Sequence, residues 1–388
     1  MKSKIYFLPA LFIILPAVFL AGCTVPGDDV IPETFNILLW NVQNLFDGSD
    51  NGNEYADFRE GGGWTWEKYE ARITAFSRAI LGMTENAPVP DLIGLVEIEN
   101  LAVLDDLASA LSKRSYNWLA FANIPGAPVG LGILSRHPLT DIRAHSITID
   151  NETAPRPMLE VRVEISRQGE NQTESLIFFL GHWKSKTGGD DATTALRRAS
   201  ARVVNRRYLE IMEEEPDASV IIMGDFNENH DEFHRRGVLS AILTDDPEAL
   251  LLAKAGMQSG ADYGFNHGLS PGFARDFLVL TGLKPPYGNF FSSENYFFAG
   301  TPVFFSPWFD YEAGSYFYRD NWETIDHFLL PYSFFTGTGW EYSDFNVLNT
   351  APFTNSAGTP NVYNPRSGRG LSDHLPILLY LEYMPCSL

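Results

Sequence analysis

The sequence contains little cysteine and little positive charge. Only Cys23 and Cys386 occur among its 388 residues, which excludes a disulfide framework and a cysteine-rich metal site. Lysine and arginine together number 28 against 49 aspartates and glutamates, and the formal net charge is −21. A field of this sign does not attract polyanions, so any chemistry on phosphate groups must be arranged locally, with a bound cation.

A long apolar segment lies at the N-terminus. Two lysines precede the run IYFLPALFIILPAVFLAGC, which is the pattern of a signal sequence. The run ends in LAGC at positions 20–23, which resembles the lipobox of bacterial lipoproteins; an ordinary transmembrane anchor is the alternative. We therefore expect a signal peptide over residues 1–22 and lipidation of Cys23.

The segment after the lipobox is short, polar and rich in turn-forming residues. It predicts a tether over residues 23–34 and a folded domain over residues 35–388. An acylated Cys23 places the protein outside the cytoplasm, anchored to a bacterial membrane by lipid. Thr24 directly after the cysteine favours the outer membrane in a cell that has one.

The remaining chain alternates strand-like and helix-like segments. Tyr69, Ile73, Phe76 and Ile80 recur at helical spacing, which predicts an amphipathic helix. Further helices are predicted over LAVLDDLASALS and around residues 193–212. The apolar runs FNILLWNV, DLIGLVE, VGLGILS, MLEVRVEI, SLIFFLGH, SVIIMGD, ETIDHFLL and LPILLYL are typical of strands. The pattern predicts a mixed α/β domain.

Polar residues stand at the ends of these predicted strands. One such residue is usually a cap or a turn former. A series of them at successive strand ends instead predicts a shared pocket, because converging strand ends bring together residues that are remote in sequence. The series consists of Asn41, Glu97, His182, Asp225, Asn227, Asp326, Asp373 and His374.

The segments around these residues resemble a known superfamily. In order, they are LLWNVQNLFD, DLIGLVEIEN, GLGILSRHPL, LGHWKSK, IIMGDFNEN, ETIDHFLLP and GRGLSDHLPI. Together they are similar to the endonuclease/exonuclease/phosphatase superfamily, which includes DNase I-like nucleases and neutral sphingomyelinases. The resemblance implies a four-layered α/β sandwich, with two packed mixed sheets flanked by helices.

Hydrolysis of a phosphate ester needs a cation to neutralise the phosphate oxygens. Glu97 offers the hard carboxylate oxygen that Mg²⁺ prefers. The sequence lacks a cluster of cysteine and histidine ligands, which argues against a structural zinc site. The resemblance implies that Glu97 is the metal ligand, with Asn41 and Asp373 beside it. Glu99 is the alternative ligand, and Mn²⁺ or Ca²⁺ is the alternative ion.

The two histidines of the series have roles in proton transfer and phosphate binding. A histidine transfers protons only when its ring is oriented and its pKa is tuned, and the resemblance implies that Asp326 orients His374. Asp225 and Asn227 would hold the attacking water or stabilise the leaving oxygen. The resemblance also implies that His182 hydrogen-bonds the phosphate.

Two further features concern substrate binding. Arg156 is a candidate for a phosphate or structural contact. Lys184 and the stripe Arg198, Arg202 and Arg206 form the concentrated basic region, which is either a track for nucleic acid or a solvated helix face. The aromatic-rich segment 287–318 is expected to be mostly packed, with some rings able to stack on bases or contact lipid.

These observations predict a monomeric, Mg²⁺-dependent phosphoesterase that cleaves nucleic-acid phosphodiesters outside the cytoplasm. The enzymatic alternatives are a phospholipase C-like sphingomyelinase and a phosphomonoesterase. A lipoprotein that binds partners at the surface without catalysis is the alternative from another class. The complete set of site residues argues against the last reading.

The lipobox makes the anchoring testable. Replacing Cys23→Ser should block acylation and leave an uncleaved or soluble form, because an acylated N-terminus partitions into lipid and a bare one does not. Incorporation of labelled palmitate and partitioning into detergent measure the change. The lipoprotein prediction fails if the variant partitions as the unmodified chain does.

Overall fold

The computed structural model describes residues 33–85, 87–149, 152–166, 173–244, 251–253, 273–284, 297–298 and 301–385. The predicted signal peptide, lipidation site and tether therefore lie almost wholly outside the described residues. Within these ranges, no helix has both the length and the apolar character needed to cross a membrane.

Strands dominate the described chain. In order they are β1 (Thr34–Leu45), β2 (Leu92–Ile98), β3 (Trp118–Ala122), β4 (Gly130–Ser135), β5 (Leu139–His145), β6 (Thr148–Ile149), β7 (Glu152–Thr153), β8 (Met158–Ser166), β9 (Thr173–His182), β10 (Ser219–Asp225), β11 (Ile242–Thr244), β12 (Leu278–Thr281), β13 (Phe297–Phe298), β14 (Thr301–Phe305), β15 (Tyr316–Tyr318), β16 (Asn321–Glu323), β17 (Asp326–Leu329), β18 (Gly339–Val347) and β19 (Ile377–Met384). The α-helices are α1 (Trp66–Met83), α2 (Leu101–Ala110), α3 (Asp190–Glu214) and α4 (Glu232–Arg236).

The strands form two large sheets. The first has the order β18-β19-β1-β2-β4-β3 and the second the order β17-β10-β9-β8-β5. Each contains one parallel pair, β1 with β2 and β9 with β10, and antiparallel pairs elsewhere. The parallel pairs are connected through α1 and α3, as parallel strands require a crossover.

The two sheets pack face to face, with helices outside them. Leu176, Phe178 and Leu180 of β9 lie in a core shared with the first sheet, whereas Ile177 and Phe179 pack on the side of α3. This division follows from the alternation of side chains along a strand. Buried residues of α1 and α2 join the core of the first sheet. The predicted four-layered α/β sandwich is confirmed.

Each predicted helix and strand overlaps an element of the same type, but the sequence patterns missed several strands. β5 is exposed along most of its length, so it carries no apolar alternation that could have revealed it. β3 and β18 were also not predicted. Both lie at edges of the first sheet, where one side of a strand lacks a partner.

The aromatic segment is partly visible. Phe304, Phe305 and Trp308 are buried, as expected for packed rings, and Phe309 is 36% exposed. A small sheet with the order β11-β12-β14-β13 carries this part of the chain. The aromatic residues between 287 and 296 lie outside the described residues.

Glu160 links the second sheet to α3. Its carboxylate accepts hydrogen bonds from Arg207 at 2.8 and 3.0 Å and from Arg143 at 3.0 Å, and it lies 2.6 Å from Nε2 of His145. Burial alone would raise the pKa of Glu160, but its hydrogen bonds to His145 and Arg207 lower that pKa to about 2.

We expect Glu160→Gln to destabilise the protein at pH 7 by on the order of 3 kcal/mol, because it removes the buried carboxylate that Arg207 and His145 share. Because the folded state lowers the pKa of Glu160, its ionised carboxylate stabilises the fold fully above the unfolded-state pKa of 4.5. This stabilisation is lost as the pH falls towards 2. Denaturant titrations at pH 7 and pH 3.5 should therefore show the gap between wild type and variant narrowing by roughly 1 kcal/mol.

Glu210→Gln is the matched control, since Glu210 forms ion pairs with Arg206 and Arg207 on an exposed face. Its loss should cost less than about 1 kcal/mol. Equal losses for the two variants would contradict the role assigned to Glu160.

Candidate active site

Strand register brings the polar strand ends to one edge of the sandwich. Asp225, the last residue of β10, pairs with His182 at the end of β9 and with Asp326 at the start of β17. β17 runs antiparallel to β10, so its first residue meets the last residue of β10. The second sheet alone therefore places these three side chains side by side.

The first sheet contributes its own strand ends to the same edge. Asn41 lies near the end of β1, and β1 pairs with β2, which carries Glu97. His374 precedes β19, which runs antiparallel to β1. Ser372 fixes this approach, because its hydroxyl donates to the Asn41 carbonyl at 2.6 Å and accepts from the His374 amide at 3.1 Å.

Glu97 stands on an irregular point of β2. Its φ is 71°, and the ladder between β2 and each neighbour shifts register here. Such a conformation costs energy for a non-glycine residue and is concentrated at functional sites. The carboxylate accepts from the Asn44 amide at 2.8 Å and from Asn41 Nδ2 at 3.2 Å.

His374 and Asp326 form a buried pair. The distance from His374 Nδ1 to Asp326 Oδ2 is 2.7 Å, and the same oxygen accepts from the Ser315 hydroxyl at 2.6 Å. Burial by itself lowers the pKa of His374, but Asp326 and its hydrogen bond, with Asp373 and Asp225, raise that pKa to about 10. The pairing predicted from the resemblance is therefore present in the structure.

Asp225 lies at the centre of the group. Its Oδ2 accepts from Asn41 Nδ2 at 3.0 Å and lies 3.6 Å from His182 Nε2 and 4.0 Å from His374 Nε2. Its Oδ1 accepts from the Asn227 amide at 2.9 Å. Burial, with the like charge of Asp326, raises the pKa of Asp225 to about 7.

The local backbone explains why glycine precedes Asp225. Gly224 has a φ of 147°, and a Cβ at this position would collide with the carbonyl oxygen of Gly181 on the neighbouring strand. Only glycine permits this approach of β10 to β9. The GD and GH pairs at the two strand ends thus place Asp225 and His182 next to each other.

Glu97 and His182 respond to the same buried environment in opposite ways. Burial, reinforced by the like charge of Asp373, raises the pKa of Glu97. Burial and the charge of Arg156 hold the pKa of His182 well below its usual value, so the ring is neutral. The distance from His182 Nε2 to Glu97 Oε1 is 3.7 Å, and the other ring nitrogen, Nδ1, has no hydrogen-bond partner among the described residues.

These side chains surround a cavity of about 340 Å³. It is lined by Asn41, Glu97, His182, Ser185, Lys186, Thr187, Asp225, Asn227, Tyr316, Tyr318, Glu323, Ile325 and His374. Tyr316 and Tyr318 belong to the aromatic-rich segment 287–318 but were not predicted as site residues. The sequence signal for them is the alternation of tyrosine and phenylalanine in the YFY run at 316–318, shortly before β17. So short a run does not show whether the tyrosines line a cavity or pack in a core.

Arg72 is a second residue that sequence reasoning missed. It is 2% exposed and donates to the backbone carbonyls of Val42, Gln43 and Asn44. Gln43 and Asn44 have φ values of 49° and 59°, so Arg72 holds the distorted end of β1. The same distortion presents the Asn44 amide to Glu97, and Arg72 therefore positions the site without lining it.

Glu99, the alternative metal ligand, belongs to a different group. Its carboxylate accepts from the Asp47 amide at 2.6 Å and from Asn51 Nδ2 at 3.1 Å. Burial, together with the charge of Asp47, raises the pKa of Glu99 to about 7. Glu99 lies just beyond the end of β2, and the irregularity at Glu97 explains why the two glutamates do not share a pocket.

The predicted substrate-binding residues divide into two sets. Arg156 lies close enough to Glu97 and His182 to shift the pKa of both, and the pKa of Lys184 is lowered by burial and by Arg156. Arg198 donates to the backbone carbonyls of 239 and 240, and Arg202 binds Asp276 through two hydrogen bonds of 2.6 and 2.7 Å. These contacts hold α3 in place, and neither arginine lines the cavity.

With this geometry in place, the family follows from the sequence. A sequence model described as the Endonuclease/Exonuclease/phosphatase family matches residues 36–258. The chain belongs to the endonuclease/exonuclease/phosphatase family. Members of this family are hydrolases that act on phosphoesters. The match contains Asn41, Glu97, His182 and Asp225, while the Asp326 and His374 pair lies beyond it.

Solved structures of the family resemble this chain at low identity. An endonuclease/exonuclease/phosphatase family protein from Bacteroides thetaiotaomicron is 12% identical, with 91% of this chain and 96% of that chain covered and a TM-score of 0.48. A humanized Danio rerio TDP2 is 15% identical, with 90% and 98% covered and a TM-score of 0.46. The mannosyl-6-phosphatase Bt3783 of B. thetaiotaomicron is 12% identical, with 89% and 99% covered and a TM-score of 0.46. No curated protein matches the sequence.

The side chains of the site suit the divalent cation on which family enzymes typically depend. Asp225, Asp326 and His374 offer ligand atoms within 4.8 Å of one another. His374 Nδ1 already bonds Asp326, however, and the raised pKa of His374 keeps the ring protonated. Glu97 is the buried carboxylate whose repulsion by Asp373 a cation would relieve, so the donor chemistry favours the Glu97 side of the cavity.

Substituting Glu97 tests this assignment without an activity assay. In chelator, Glu97→Gln should melt no lower than wild type, because it removes a buried charge that Asp373 repels. Metal binding should raise the free energy of unfolding of the wild type by about 2.7 kcal/mol at a Mg²⁺ or Mn²⁺ concentration a hundredfold above Kd. The variant should not show this increase. Thermal melting with and without the metal measures both effects.

Glu99→Gln is the matched control and should keep the metal-dependent gain. If Glu99→Gln loses the metal-dependent stabilisation and Glu97→Gln retains it, the metal binds at Glu99 and the assignment to Glu97 is wrong.

Proposed function

We propose that this protein is a Mg²⁺-dependent phosphodiesterase that cleaves nucleic acid outside the cytoplasm. One observation carries the proposal: His374, which Asp326 holds from behind, lines a single cavity at the edge of the sandwich together with Asp225, His182 and Glu97. Phosphoester hydrolysis needs a proton acceptor for water, donors for the phosphate oxygens and a site for a cation. Each requirement has a matching residue.

Asp225 is the group suited to accept a proton from the attacking water. Its pKa near 7 makes it a base at neutral pH, where a general base is most effective. The Asn227 amide and Asn41 side chain hold its two oxygens, so the carboxylate has a fixed orientation.

His374 and His182 supply donors for the phosphate. Because Asp326 occupies Nδ1 of His374, the nitrogen left for the substrate is Nε2, and the raised pKa keeps that nitrogen protonated. It can donate to an oxygen on which negative charge develops. Neutral His182 adds a second donor without adding charge.

Glu97 would hold the metal ion, with Asn41 and Asp373 beside it. When bound there, Mg²⁺ neutralises charge on the phosphate oxygens. Oxygen ligands of this kind also accept Mn²⁺ or Ca²⁺. Arg72 lies near these ligands: burial lowers the pKa of its guanidinium to about 10, and the charges of Glu97 and Asp373 oppose that shift.

Nucleic acid is the proposed substrate, and its route differs from the one expected from the sequence. The contacts of Arg198 and Arg202 give no support to a backbone track along α3. Arg156 and Lys184 do not line the cavity, but together with burial the charges of both lower the pKa of His182, which supports a phosphate position near that histidine. Binding then depends on few phosphate contacts and has a shallow salt dependence.

The proposed location rests on the lipobox at residues 20–23. We infer that the mature chain acts as a monomer, tethered through lipidated Cys23 to the outer membrane of a cell that has one. An acidic enzyme at such a surface meets its substrate only where a metal ion offsets the repulsion of phosphate.

Substitutions in the Asp-His pair test the chemistry. His374→Ala should lower kcat by roughly 10²- to 10⁴-fold through loss of a proton-handling group. Asp326→Asn should lower kcat with little change in KM, because it disturbs the orientation and protonation of His374 without touching substrate. Hydrolysis of DNA, RNA, sphingomyelin and a phosphomonoester, each with and without chelator, provides the rates.

His234→Ala is the matched control, since His234 is an exposed histidine on α4 and should leave the rates unchanged. Full activity in excess chelator would refute the proposed mechanism. A rate on sphingomyelin or the phosphomonoester far above that on nucleic acid would replace the proposed substrate.

A further inference from the structure

The hairpin β15-β16 forms one wall of the catalytic cavity. Tyr316 and Tyr318 line the cavity, whereas Phe317 between them packs against Trp322 of the partner strand, with ring centroids 5.1 Å apart. The division follows from the alternation of side chains along a strand. One face of the hairpin is thus anchored, and the other presents two tyrosines to the substrate.

The two tyrosines continue a stack that begins at His374. The Tyr316 ring lies 4.6 Å from the His374 ring with an interplanar angle of 30°, and the Tyr318 ring lies 6.1 Å from that of Tyr316 at 14°. Tyr318 is 46% exposed. A series of adjacent rings, of which the two tyrosine rings are nearly parallel, therefore leads from the proposed phosphate donor to an open aromatic surface.

The hairpin is held before any ligand arrives. Its two-residue turn, Arg319 and Asp320, has φ values of 48° and 63°, which fit the twist of a tight hairpin. At its base, the Ser315 amide donates to the Glu323 carbonyl at 3.0 Å, and Arg235 donates to the Trp322 carbonyl at 3.0 Å. Stacking on such a surface costs little ordering of the protein.

The chemistry of the hairpin tip separates the candidate ligands. A hairpin that enters lipid needs apolar residues at its tip, but this tip reads Arg319, Asp320 and Asn321. The Arg319 guanidinium lies 5.0 Å from the centroid of the Tyr318 ring. Aromatic rings beside an arginine suit the planar bases and the phosphates of single-stranded nucleic acid.

We propose that Tyr318, supported by Tyr316, forms a subsite that stacks a nucleobase adjoining the scissile phosphate. The inference rests on the proposed function and extends it by naming the part of the substrate that is recognised. Base stacking of this kind tolerates every sequence, because each base has a π-face. The subsite therefore selects nucleic acid over other phosphodiesters without selecting a sequence.

A matched pair of substrates isolates the stacking. The full-length chain, purified in detergent with Mg²⁺, is assayed on a single-stranded oligonucleotide and on the same backbone with abasic residues. Wild type should prefer the base-bearing strand by on the order of tenfold in kcat/KM. Tyr318→Ala should reduce this preference to near unity, mainly through KM, and Tyr318→Phe should restore it.

Trp66→Ala controls for the loss of an exposed ring, because Trp66 is 50% exposed and lies outside the cavity; its preference should equal that of wild type. Equal losses on both strands in Tyr318→Ala would reveal a merely structural role and overturn the subsite. Equal wild-type rates on both strands would overturn the subsite and leave the proposed function standing. Hydrolysis of neither strand would overturn both, and turnover of sphingomyelin vesicles alone would assign the hairpin to a lipid surface.

Discussion

Repulsion among buried carboxylates is the constraint around which this site is built. Asp225 and Asp326 are buried at one edge of two packed sheets, and Glu97 is partly buried beside them, with Asp373 close enough to raise the pKa of Glu97. Charges of one sign at this depth are costly unless they are paired, hydrogen-bonded or neutralised by a cation. The backbone hydrogen bonds of the strands hold these residues at fixed positions. The carboxylates therefore stay close together despite their repulsion.

The negative charges of these carboxylates are compensated to different extents, and this difference gives each carboxylate a different role. Asp326 is offset by His374, whose ring it holds, so this pair carries a proton in a defined place. Asp225 is held by neutral amide groups, which leave its pKa near neutrality. Glu97 receives hydrogen bonds and the charge of nearby Arg156, but no lysine or arginine of the described residues forms an ion pair with it, and a divalent ion is a suitable neutralising charge. One acidic cluster thus provides an orienting group, a base and a metal ligand.

The sequence predicted the parts of this account that are encoded locally. Apolar runs followed by single polar residues predicted β1, β2, β9 and β10 and the residues at their ends, because burial on both faces leaves a strong signal. Arg72 could not be found in this way, since its carbonyl partners depend on the fold of a distant segment. The arginines of α3 were also misleading, because their carboxylate partners lie far away in sequence: Asp276 for Arg202 and Glu160 for Arg207.

The position of the metal tests the central claim most directly. Crystals of the protein grown with Mn²⁺ can be measured at the manganese absorption edge, where anomalous scattering locates the ion without reference to activity. The account predicts a peak about 2–2.5 Å from a carboxylate oxygen of Glu97, with the His374-Asp326 hydrogen bond intact. A peak bound to His374, between Asp225 and Asp326, would contradict the division of roles argued from the structure.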